Sequence, residues 1–259
     1  MSKGLVTTLK KLGLYEPLVS LKRKFDKIQY EKKDKAFHSK RIEFYKKILK
    51  PGDLVFDVGA NVGNRVKVFL DLGCKVIAVE PQQECIIELR KKFGNSITII
   101  DKGLGESVGE KTLYLTDVST IASVSEEWID NVKQNRFSQH NWDRQIKIDL
   151  TTLDALIGEF GIPKFCKIDV EGYELQVLKG LSKPVPCLSL EYTVPELTNR
   201  LLECIQYMNE INKNYKYNYS KGEEMLFELP EFISYTEMVN LIQQDHFQRT
   251  GFGDIYLKI

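Results

Sequence analysis

Six carboxylates stand at or near the ends of short apolar runs, where a strand would deliver them to the rim of a sheet. Asp57 lies in Leu54-Val-Phe-Asp57-Val-Gly59-Ala60-Asn61-Val-Gly63, Glu80 follows Val76 to Val79, and Asp101 follows Ile97 to Ile100. Asp169 and Glu171 follow Phe165 to Ile168, and Glu191 follows Cys187 to Leu190. Such groups can meet a ligand's positive charge, accept from hydroxyls, hold a metal ion or take a proton. In the first run the glycines allow close backbone approach, and the helix that follows offers unpaired N–H groups, which together make a nucleotide-type loop. Glu80 comes 21 residues after Gly59, the spacing at which a carboxylate accepts from both ribose hydroxyls.

The loop has no G-x-G, the feature that makes room for a pyrophosphate, and it carries Asp57 two residues before its first glycine. A carboxylate there repels phosphate and suits a cationic ligand with an amino group. S-adenosylmethionine, with its ammonium and sulfonium charges, fits both features. A nicotinamide-dependent oxidoreductase is a second reading, favoured by the strand-glycine-helix order and Glu80 and opposed by the missing glycine, and a non-catalytic cofactor-binding partner protein is a third.

The elements that position these residues alternate. The apolar runs at Leu54–Phe56, Val76–Val79, Ile97–Ile100, Phe165–Ile168 and Cys187–Leu190 read as strands, with helices near 62–72, 82–93, 173–180 and 196–211. Parallel strands need crossovers, so the pattern predicts an α/β fold with a mostly parallel sheet covered by helices on both faces. Tyr217–Tyr219, Leu226–Glu228 and Asp254–Ile259 read as further, antiparallel strands around a helix at 234–244.

With 259 residues the chain can bury a sizeable core, and 37 Lys and Arg against 36 Asp and Glu give no global pull toward nucleic acid. The charge is uneven: residues 1–50 hold 15 basic and 5 acidic residues. Leu5, Leu9, Leu12, Leu18, Leu21, Phe25 and Ile28 fall at helical spacing around Pro17, so residues 1–48 read as a basic amphipathic arm preceding a domain over 49–259. The arm suits peripheral membrane contact, packing on its own domain, or assembly with a second copy. It lacks interleaved aromatics, and the acidic body and the missing N/D-P-P-Y/F motif speak against a nucleic-acid substrate. The five cysteines form no CxxC pair and lie in apolar stretches, which fits free thiols in a cytoplasmic protein.

Gly52-Asp-Leu-Val-Phe-Asp-Val-Gly-Ala-Asn-Val-Gly63, Val79-Glu80-Pro81, and Cys166-Lys-Ile-Asp-Val-Glu-Gly-Tyr-Glu174 followed by Val177-Leu-Lys-Gly180 resemble the FkbM-type methyltransferases. The similarity runs over about residues 50–195, with D-V-E-G-x-E its most specific part. The resemblance implies the class I methyltransferase fold, a Rossmann-like seven-stranded sheet. It implies an O-methyltransferase acting on a hydroxyl of a sugar, a glycan or another small molecule. By position, Asp57, Gly59, Ala60, Asn61 and Gly63 would surround the methionine part of the donor, Glu80 and Pro81 the ribose, and Asp101, Lys102 and Gly103 the adenine edge.

A hydroxyl acceptor must lose its proton, to a general base or beside a metal ion. Asp169, Glu171 and Glu191 are the candidates for the base, and Asp169 with Glu191 for Mg²⁺. The other reading of Asp169 and Glu171 is as caps of the helix beginning near Tyr173. His140, in a polar loop, is a further candidate base or a solvated bystander. Trp128, Phe137 and Trp142 could form a lid over a sugar ring or pack the segment onto the sheet, and Tyr173 and Tyr192 are placed to line an acceptor pocket.

Overall fold

The computed structural model describes residues 36–116, 119–133 and 138–259. The chain divides into two units, Met1–Glu43 and Phe44–Ile259. Residues 36–45 are helical (α1). The helices expected between Leu5 and Ile28 lie outside the described residues.

The strands are β1 (Leu54–Val58), β2 (Lys75–Val79), β3 (Thr98–Ile100), β4 (Gly103–Leu104), β5 (Gly109–Leu115), β6 (Arg144–Thr151), β7 (Phe165–Ile168), β8 (Cys187–Thr193), β9 (Lys216–Lys221) and β10 (Phe252–Lys258). The helices are α2 (Asn64–Asp71), α3 (Gln83–Phe93), α4 (Glu126–Lys133), α5 (Leu153–Phe160), α6 (Glu174–Lys179), α7 (Thr198–Ile211), α8 (Tyr235–Ile242) and α9 (Asp245–Gln248). Seven strands form one sheet in the order β3-β2-β1-β7-β8-β10-β9. Its first five members run parallel, while β10 is antiparallel to both β8 and β9. This is the mostly parallel seven-stranded α/β sheet of the class I methyltransferase fold.

The order reverses between β1 and β7, so the crevice outside their carboxyl ends is where such sheets bind ligands. One face of the sheet buries Phe56, Val58, Ile168, Leu188 and Leu190 with residues of α5, α6, α7 and α8. On the other, Tyr45 meets Phe69 at 5.0 Å and Phe165 at 5.6 Å, and Phe44 meets Tyr256 at 5.2 Å. That second face also carries charge, because Asp57 and Lys167 are register partners on adjacent strands and both are buried.

Leu226–Glu228, expected as a strand, is irregular chain instead. Asn218 interrupts the pairing: its Nδ2 donates to Leu229 O at 2.9 Å and its Oδ1 accepts from Leu229 N at 3.1 Å, between isolated backbone bonds from Glu228 N to Tyr219 O and between Tyr217 and Ile233. Met225, with φ 50°, also breaks the alternation a strand requires. A second, three-stranded sheet, β4-β6-β5, was not foreseen. It packs Leu113, Leu115, Ile148 and Leu150 and supports the segment leading to α4. Among the described residues, no helix is long and apolar enough to cross a membrane.

Candidate active site

The first loop is shaped by its packing. Gly59 has φ +80°, and a Cβ there would lie 1.8 Å from the carbonyl oxygen of Asp169. A Cβ on Gly63 would lie 2.4 Å from Phe93 and 2.8 Å from Leu89 of α3. Both glycines thus serve close approach between protein elements, and the loop they free runs along the sheet rim. Gly59 N and Ala60 N both donate to Val79 O, at 3.0 and 3.1 Å.

Asn61 takes the left-handed conformation, φ 47°, and its N–H donates to Glu80 Oε2 at 2.8 Å. Gln82 N donates to Glu80 Oε1 at the same distance. The Glu80 carboxylate is fixed by two backbone donors and keeps acceptor capacity for two more. Burial pushes it up to about 7 against those hydrogen bonds. Asp57 is 1% exposed, and its Oδ2 has no hydrogen-bond partner. Burial raises it to about 6, with Lys167 and Arg65 acting the other way. An orphaned buried carboxylate oxygen is costly, by about 1–3 kcal/mol, unless a ligand completes it. That donor set, an unpartnered carboxylate and a fixed one beside a glycine loop, fits a cationic nucleoside such as S-adenosylmethionine.

Pro81, Gln82 and Asp101 line a cleft of about 480 Å³ together with Leu115, Ile146 and Ile148. Lys102 is exposed at its edge of the chain, whereas Gly103 is buried in β4, where a Cβ would lie 2.7 Å from Leu150. Ser119 joins the loop from the other side: its hydroxyl donates to Asn61 Oδ1 at 3.2 Å, and its carbonyl accepts from Gln82 Nε2 at 3.1 Å.

Asp169, Glu171 and Glu191 converge as the chain pattern predicts, one oxygen of each lying within 4.8 Å of the others. Lys167 Nζ donates to Asp169 Oδ2 at 2.5 Å. Burial alone would raise Asp169, but that ammonium and the hydrogen bond from Glu191 hold its carboxyl below the usual range. Burial and the adjacent Asp169 charge push Glu191 well above it. The two carboxyls therefore titrate as one pair, with Asp169 pushed down and Glu191 pushed up. Burial opposes the Lys167 charge, yet Asp169 and Asp254 outweigh it.

The turn after Asp169 is strained. Glu171 has φ 52° and Gly172 φ 87°. Glu174, buried in the first turn of α6, holds this turn by accepting from Val170 N and Gly172 N, each at 3.1 Å. Glu174 thus braces the turn leading into α6 rather than capping the helix, whose N-cap residue Tyr173 makes no side-chain cap hydrogen bond.

Trp128 and Trp142 meet edge to face at 6.1 Å within a cluster of Ile121, Ile129, Val132 and Leu197. Trp142 Nε1 donates to Ile121 O at 2.9 Å. They pack the segment, and Gly172 is small because a Cβ would lie 2.5 Å from Trp128. Phe137 lies outside the described residues. His140 is half-buried in the loop before β6 and is not part of the carboxylate cluster. Tyr192 is 3% exposed with its hydroxyl on Thr250 Oγ1 at 3.0 Å, so it supports the site from within. Tyr173, half-buried, lines an open groove of about 430 Å³ with Tyr114, Gln176 and Arg200.

Lys167 and Glu174 stand inside the quoted motif but received no role from sequence, and Ser119 was not singled out. Lys167 had a signal, a charge inside the apolar central strand Phe-Cys-Lys-Ile, since buried charges are normally paired.

Residues 57–219 match the methyltransferase FkbM domain. None of the curated proteins compared matches the chain. Among solved structures, a precorrin-6y C5,15-methyltransferase from Geobacter metallireducens is 10% identical, covering 85% of this chain and 88% of that one at a TM-score of 0.44. A TehB-like SAM-dependent methyltransferase from Corynebacterium glutamicum is 7% identical, covering 85% and 86% at 0.42. A SAM-dependent methyltransferase from Archaeoglobus fulgidus is 10% identical, covering 90% and 99% at 0.42. The domain match spans both the Asp57 loop and the Asp169 turn and sets the oxidoreductase reading aside: the chain belongs to the FkbM methyltransferase family.

Proposed function

We propose that this methyltransferase moves the sulfonium methyl of S-adenosylmethionine to a hydroxyl of a sugar, a glycan or another small-molecule acceptor. The observation that carries the reading is the buried, unpartnered Oδ2 of Asp57 beside the glycine loop, which a cationic donor head would complete. S-adenosylmethionine, when bound, supplies an electrophilic methyl group whose transfer neutralises a positive charge. Asp57 would hold its ammonium, Glu80 its ribose hydroxyls, and the mixed polar and apolar cleft beside Asp101 its adenine.

The site's remaining task is to align an acceptor and remove its proton. The carboxylate cluster of Asp169, Glu171 and Glu191 is the set of groups placed to receive that proton. The groove at Tyr114, Tyr173 and Gln176 offers rings and polar groups suited to a sugar. A divalent ion on Asp169 and Glu191 would achieve the same deprotonation, and the response of turnover to EDTA separates the routes.

The five free cysteines are all buried, which suits a reducing, cytoplasmic setting. Residues 1–48 would then serve as a basic arm for peripheral membrane contact or homo-oligomer assembly. Deleting residues 1–35 should change sedimentation or liposome recovery and leave donor binding intact. The reaction is tested by incubating the protein with isotopically labelled S-adenosylmethionine and a panel of glycans, followed by mass spectrometry of the hydrolysed sugars. O-methyl sugar in the hydrolysate is expected, and label confined to protein or nucleic acid would refute the acceptor class.

A further inference from the structure

Asp169, Glu171 and Glu191 present oxygens within 4.8 Å of one another, a separation at which carboxylates surround a divalent ion. One cation is already there. Lys167 Nζ stands 2.5 Å from Asp169 Oδ2, and the lysine side chain is 3% exposed. It arises from the central strand β7, and Asp169 follows directly after that strand's last residue, Ile168. The ammonium cannot withdraw without leaving the sheet interior.

We infer that Lys167 is a positioning residue that takes the place a divalent ion would otherwise fill in this carboxylate cluster, so that methyl transfer here runs without a metal. Three features support this. The charge is delivered covalently and buried, so it is always present. It repels a second cation at a few ångströms, where a dication would have to bind. It also occupies one oxygen of Asp169, whose side chain is 33% exposed. Asp254 and Asp57 lie on the same charged side of the sheet and balance the lysine further.

The metal-free half of this inference rests on the methyl-transfer reading, and the test separates the two. Mn²⁺ alone is titrated, with electron paramagnetic resonance as readout, into the wild type, Lys167→Arg, Lys167→Met and the double variant Lys167→Met/Asp169→Asn. The wild type and Lys167→Arg should leave Mn²⁺ free. Lys167→Met should bind it about tenfold or more tightly than the wild type, and the double variant should lose that gain. Uptake by the wild type or by Lys167→Arg would overturn the inference, as would a folded Lys167→Met that takes up none. If Lys167→Met does not fold, the wild-type and Lys167→Arg titrations still decide, since the inference requires both to be silent. Calorimetry with S-adenosylmethionine on the same samples reports the donor site separately: a wild type that ignores the donor refutes methyl transfer and leaves the Mn²⁺ result standing.

Discussion

Gly59 and Asp169, on neighbouring strand ends, touch through their backbones: a Cβ on Gly59 would sit 1.8 Å from the Asp169 carbonyl oxygen. The donor loop and the carboxylate turn are therefore one packed unit, and the position of Asp169 is set by the absence of a side chain 110 residues earlier.

Gly59→Ala should lose on two counts, the clash and the φ of +80° that an alanine adopts poorly. We expect destabilisation of at least about 2 kcal/mol in urea unfolding, together with lost donor binding. Unchanged stability would mean that the two loops separate readily.

Glu171 holds a left-handed backbone, φ 52°, that a glycine adopts without cost. Glu171→Gly should stabilise the fold by about 1 kcal/mol while lowering turnover. A destabilised variant would show that the side chain of Glu171 contributes to folding rather than to chemistry.

Glu174 satisfies two backbone donors of the turn, from Val170 and Gly172. Glu174→Ala leaves both without it and should cost about 2–4 kcal/mol, measured by denaturant unfolding, whereas Glu174→Gln retains an acceptor and should cost less. Equal losses would point to the charge rather than the hydrogen bonds. Burial pushes Glu174 up to about 7, so the neutral amide mimics its protonated form.

Asp57, Glu80, Glu174 and Asp254 all have carboxyl groups raised by burial, to about 6, 7, 7 and 6. The folded state then binds more protons than the unfolded chain, whose carboxyls titrate near 4. Their contribution to stability is complete below about pH 4 and is lost as pH rises through about 6 to 7. Donor affinity has the opposite sign, because the ammonium needs Asp57 ionised, and should strengthen as pH rises through about 6. Melting curves of the free protein, and calorimetry at about pH 5.5 and 7.5, read the two trends. A donor affinity that is flat across this range would remove Asp57 from the contact.

The parts of the fold that sequence made legible are those with strong local pattern. β7 matches the run Phe165–Ile168 at both ends, because a fully buried strand bounded by polar residues has sharp edges. The loop at Asp57 and the turn at Asp169 were legible as glycine- and carboxylate-containing turns at strand ends, where Gly59 and Gly172 are required by close packing. Leu226–Glu228 misled because the Asn218 side chain holds the adjacent backbone at Leu229, and the Glu228 N to Tyr219 O bond does not extend into a ladder. The β4-β6-β5 sheet was missed because β5 is exposed at Gly109, Glu110 and Lys111 and turns inward only at Leu113 and Leu115. The packing role of Trp128 depends on Gly172, 44 residues away, and no local pattern carries such a contact.

The central claim is that Asp57 is completed by a cationic methyl donor. Calorimetric titration of S-adenosylmethionine into the wild type and Asp57→Asn tests it most directly. The account predicts saturable binding to the wild type and a loss of about tenfold or more in the variant, with its melting temperature retained. Equal binding by both proteins, or none by a folded wild type, would contradict it.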